Sequence, residues 1–71
     1  MIGHNVRLVL HVFEDDIESL ILWCEQNVGN YRQNKWIMEY GKYNKSQQTV
    51  TFTFERAEDA TMFALKFMKT N

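Results

Sequence analysis

Between Val6 and Phe13 the chain alternates Val6, Leu8, Leu10 and Val12 with Arg7, Val9, His11 and Phe13, a period of two that marks a strand buried on one side. The first set belongs to a core face and the second to the opposite face of the sheet. The period then lengthens: Ile17, Leu20, Ile21, Cys24 and Val28 make one helical stripe, and Gly29 with Asn30 supplies a left-handed stop. Asp15 precedes Glu18 by three residues, so a capping box with Asp15 as the N-cap is expected. Alternation returns where Trp36, Met38 and Tyr40 interleave with Lys35, Ile37 and Glu39, and again at Thr49–Phe54, where Val50, Phe52 and Phe54 interleave with threonines. The segment Gly41–Gln48 between them predicts a turn longer than a tight hairpin. A second helix is expected over Arg56–Met68, with Ala57, Ala60, Phe63, Ala64 and Phe67 inward and Lys66 and Lys69 toward its C-terminal end, where cations suit the dipole.

The resulting order, βαββα, defines an α+β class. A right-handed crossover from strand one to strand two, with strand three returning between them, gives a three-stranded antiparallel sheet of order 1-3-2 and both helices on one face. This is the ferredoxin-like split arrangement without a fourth strand, and it leaves strand one as an edge open to another chain. Seventy-one residues with three glycines, no proline and no low-complexity run predict a single domain over residues 1–71. A chain this short buries only about 60% of its surface, so its stability is modest unless copies associate.

The segment Val50–Ala60, VTFTFERAEDA, resembles the third strand and second helix of the RNA recognition motif. That likeness implies the fold; the base-stacking aromatics of the family are replaced on the open face by Thr49, Thr51 and Thr53, with Arg7, Val9 and His11 on strand one. Glu58, Asp59, Ala60, Phe63, Leu65, Lys66 and Phe67 also resemble the C-terminal pattern of small uncharacterised proteins of marine bacteriophages, which implies a phage accessory protein and carries no activity with it.

A net charge of −1 argues against a bulk electrostatic grip on nucleic acid. The charge is nonetheless polarised: Glu14, Asp15, Asp16, Glu18 and Glu25 make the first helix acidic, and Arg32, Lys35, Lys42 and Lys45 make the middle of the chain basic. Neither Val6–Phe13 nor Ile17–Cys24 is long or apolar enough to span a bilayer, and the N-terminus lacks the pattern of a secretory signal, so a cytoplasmic location is expected. The single Cys24 on a core face reads as a packed, inert thiol.

No nucleophile motif, phosphate-cradling glycine loop or dinucleotide fingerprint is present, and the sequence predicts neither an enzyme nor a cofactor. His11 meets Glu39 across the open face if the register allows, but two histidines do not make a metal site of three or four ligands. Two binding surfaces are expected instead. Val9, Phe13 and Ile37 on the open sheet face, with Trp23 off the first helix's stripe, form an apolar surface suited to self-association as a homodimer or to a different protein partner. Arg32, Lys35, Lys42, Tyr43 and Lys45 interleave cations and aromatics as single-stranded nucleic-acid sites do, with Trp36 and Tyr40 assigned to the core alongside Met38.

Overall fold

The computed structural model describes residues 3–29 and 35–68. Five elements follow in order: β1 (His4–His11), α1 (Ile17–Asn27), β2 (Trp36–Asn44), β3 (Gln47–Phe54) and α2 (Ala57–Phe67). The sheet has order β1-β3-β2 and both pairings are antiparallel, the ferredoxin-like topology expected from the periodicity. Asn30, Tyr31, Arg32 and Lys69 lie outside the described residues.

Registration explains the core. Val6 pairs with Phe52, Leu8 with Val50 and Trp36 with Phe54, so these even-numbered apolar residues from all three strands face the helices together. Leu20 and Cys24 of α1 and Ala60 and Phe63 of α2 close over them. Phe52, Phe54 and Phe63 form the centre, with the first two ring centroids 4.6 Å and 5.2 Å from that of Phe63. Burying each such ring stabilises the fold by about 1.5–3 kcal/mol over leaving it in water.

The helix starts differ from the capping box expected. Asp16 is the N-cap of α1, its Oδ1 accepting from the Glu18 backbone N–H at 3.0 Å. Asp15 instead turns back to the strand, where its Oδ2 accepts from the His11 backbone N–H at 2.8 Å. Two good cap formers stand side by side, and the turn after β1 decides between them. The N–H groups of Glu14 and Asp15 both donate to the His11 carbonyl, so β1 ends at His11 and Val12–Asp15 form that turn. Phe13, expected on the open sheet face, is therefore a turn residue and is 84% exposed.

At its other end α1 stops where expected. The N–H groups of Val28 and Gly29 donate to the Cys24 carbonyl, and Gly29 has φ 145°, a conformation that favours glycine. The indole N–H of Trp36 donates to the Gly29 carbonyl at 2.6 Å, fixing the start of β2 beneath the helix end.

The β2–β3 connection corrects the long-turn expectation. Asn44 pairs with Gln47, leaving a two-residue turn of Lys45 and Ser46 with φ of 48° and 70°. Positive φ at both central residues is the type I′ geometry that matches the strand twist. Lys-Ser lacks the Asn-Gly signature of that turn, which hides it in the sequence. Between Tyr40 and Tyr43 the register shifts, because Gly41 and Lys42 together oppose Thr49. Gln48 Nε2 donates to the Gly41 and Thr49 carbonyls at 3.0 Å and 2.9 Å, holding this bulge in place. A Cβ on residue 41 would meet Thr49 Cβ at 3.3 Å, so glycine suits the close approach.

Candidate functional site

The open sheet face is mostly polar. Its rows are Asn5, Thr53 and Ile37, then Arg7, Thr51 and Glu39, then Val9 with Thr49, then His11, Gln47 and Asn44. Val9 and Ile37 lie four residues apart along β3 and on opposite edge strands, about 13 Å along the strand direction alone. His11 and Glu39 are likewise separated by two rows and do not meet.

Trp23 lies in the other layer, packing edge-on against Phe63 and Phe67 at centroid distances of 5.7 Å and 6.0 Å. It joins the two helices. Val9, Phe13, Trp23 and Ile37 are thus not brought together, and the single apolar surface expected from them dissolves into a polar sheet face, an exposed turn and a helix seam. The basic set is also divided. Lys35 precedes β2, whereas Lys42, Tyr43 and Lys45 sit toward its far end, roughly 20–30 Å away along a strand of this length. Arg32 lies outside the described residues.

A different site emerges at the hairpin end. Residues three apart on a regular strand point to opposite faces, but the bulge pairs Tyr40 with Val50 and Tyr43 with Gln48, so both tyrosines face the helix side. They are 60% and 61% exposed, against the core position expected for Tyr40. Beyond the N-terminus of α1 they line a groove of about 300 Å³ with Leu10, Val12, Ile17 and Asp15. Tyr40 is the residue that periodicity misplaces, and the clue is Gly41, since a glycine inside a strand pattern marks a bulge.

Burial pushes the Cys24 thiol up to about 12, with the Asp59 and Glu25 carboxylates adding to the shift, so the thiol stays protonated and unreactive. Arg56 hydrogen-bonds Glu58 at 2.9 Å on the surface, which raises the guanidinium and lowers the carboxyl from their ordinary values. Among the described residues no group of three or more His, Cys, Asp or Glu is placed to hold a metal ion. No helix among them is long and apolar enough to cross a membrane.

The fold and groove define an α+β, ferredoxin-like chain with an aromatic cleft at one hairpin end. The sequence matches no family model and no curated protein, and its structure matches no solved structure. The likeness to marine-phage proteins expected from the Glu58–Phe67 pattern is not borne out by these comparisons.

Proposed function

We propose that the protein is a non-enzymatic interaction module that binds another protein through the groove between Tyr40, Tyr43 and Val12. The observation that carries this is the bulge, which turns two exposed tyrosines toward one apolar cleft. Tyrosine supplies a large contact area with few rotatable bonds and a hydroxyl that stays wet, which is why it is enriched at interfaces. Asp15 lines the groove, and Glu14, Asp16 and Glu18 adjoin it in sequence, so an apolar anchor flanked by a basic side chain is the segment that fits. An unreactive Cys24 supports a role without covalent chemistry and suits a cytoplasmic setting.

Single-stranded nucleic acid is the second reading, favoured by Tyr43, Lys42 and Lys45 lying within four residues at the hairpin end. The carboxylates beside the groove repel phosphate, which places this reading second.

The test uses immobilised protein and the Tyr40→Ser/Tyr43→Ser double variant. A protein retained by the first, lost with the second and held at high salt supports the groove. Retention that is equal on both overturns it. Binding of a labelled oligonucleotide that weakens steeply with salt and vanishes in Lys42→Glu/Lys45→Glu supports the second reading instead.

A further inference from the structure

The ladder bonds show which backbone groups of β1 are unused. Val12 N–H donates to the Ser46 carbonyl at 2.8 Å, in the register that pairs Val6 with Phe52. In an antiparallel ladder alternate residues bond the same neighbour, so the even-numbered residues of β1 serve β3 and the odd-numbered ones point outward. His11 confirms this independently, because its N–H and carbonyl both turn outward to the Val12–Asp15 turn. Asp15 thereby closes the C-terminal end of the edge. The outward N–H and carbonyl groups of Gly3, Asn5, Arg7 and Val9 remain, and among the described residues no further strand lies on that side of β1.

We propose that this edge pairs with its own copy, β1 against β1 antiparallel, on a twofold axis at Val6, to form a six-stranded sheet. Three features select that arrangement. An axis at Val6 pairs residues 3 with 9 and 5 with 7 of the other copy, which uses all four outward residues of each chain. An axis at Arg7 directs residue 3 onto His11, and an axis at Leu8 directs residue 5 there, although the His11 groups are already taken by the turn. The Val6 axis also sets Arg7 opposite Asn5 of the other copy, whereas an axis at Arg7 would set two guanidinium groups face to face.

The two edges of the sheet are unequal as well. The β2 edge is bent by the Gly41–Lys42 bulge, a device that blunts strand addition, while β1 is regular over its eight residues and contains no proline. Like therefore pairs with like at β1, in an isologous contact that closes on itself. None of the groove residues takes an outward position on this edge, so the dimer and the groove stand or fall separately.

The experiment is molar mass in solution across a concentration series, with two variants. Val9→Pro removes an outward N–H without touching the ladder to β3. The wild type is expected at twice the chain mass and Val9→Pro at the chain mass with an unchanged circular-dichroism spectrum. Val6→Cys is expected to form a disulfide-linked dimer in air, because a non-hydrogen-bonded antiparallel pair holds its Cα atoms about 4.5 Å apart, within disulfide reach. Cys24 does not compete, being fully buried with its thiol pushed up to about 12. A wild type that stays at the chain mass throughout overturns the proposal, as does a dimer that Val9→Pro leaves intact. A dimer in which Val6→Cys fails to cross-link overturns the Val6 axis. If Val9→Pro does not fold, the Val6→Cys cross-link decides. Tyr40→Ser/Tyr43→Ser is expected to leave the mass unchanged.

Discussion

The indole nitrogen of Trp36 donates to the Gly29 carbonyl oxygen at 2.6 Å, joining the first residue of β2 to the chain that leaves α1. Trp36 is also buried in the core and stacks on Phe52 with ring centroids 6.1 Å apart. Trp36→Phe keeps a ring in the core and strands the Gly29 carbonyl, so it is expected to cost about 1–3 kcal/mol. Trp36→Ala is expected to cost about 3–5 kcal/mol, a large share of the stability of a chain this short. Urea unfolding midpoints of the two variants check the order.

The turn at Lys45 and Ser46 holds two L-residues at positive φ. Ser46→Gly relieves one of them and is expected to add about 1 kcal/mol, a rise in Tm of about 4–8 °C for a domain of this size. A Tm that does not rise in a thermal melt contradicts the two-residue turn.

Asp15 and Asp16 adjoin in sequence but act on different elements. Asp16→Ala is expected to cost about 1 kcal/mol as a lost helix cap and to speed hydrogen exchange at the Glu18 amide. Asp15→Ala is expected to speed exchange at the His11 amide and leave Glu18 protected. Exchange followed amide by amide by NMR separates the two, and the reverse pattern would return the cap to Asp15.

Cys24 makes stability fall in alkali. Its thiol is raised in the folded chain from 9.0 to about 12, so the unfolded chain loses its proton first as pH rises. The contribution is complete below about pH 9 and is lost progressively up to the folded value, at no more than about 1.4 kcal/mol per pH unit. Cys24→Ala is less stable at neutral pH because it leaves a cavity, yet its stability is expected to decline less steeply between about pH 9 and 12. A thiol reagent added to the native protein is expected to react only at the rate of unfolding.

The core was legible because its alternation is strict: Val50, Phe52 and Phe54 face inward and the threonines between them face out, as burial of one face requires. Four places were not. Phe13 continues the alternation of β1, but backbone bonds to His11 end the strand before it, and periodicity does not see those bonds. Lys45-Ser46 forms a turn whose usual residues are absent. Tyr40 and Tyr43 share a side through a bulge that breaks the period of two, so a surface defined by both could not be read from spacing. Trp23 was misplaced for another reason: it is off the stripe facing the sheet and lies on the side that meets Phe63 and Phe67 of α2.

The bulge at Gly41–Lys42 has a second consequence. Deleting Lys42 leaves Tyr40 opposite Val50 and Tyr43 opposite Gln48, now as ordinary neighbours two residues apart, so the groove and the core survive the loss. What the deletion removes is the bend, and β2 becomes a second regular edge. A sheet that is sticky on one side stops at two copies, while a sheet that is sticky on both sides propagates without end. If β1 pairs with its own copy as proposed, the surplus residue would act as a chain terminator for polymerisation, and its deletion is expected to turn a discrete particle into a fibril, visible by electron microscopy.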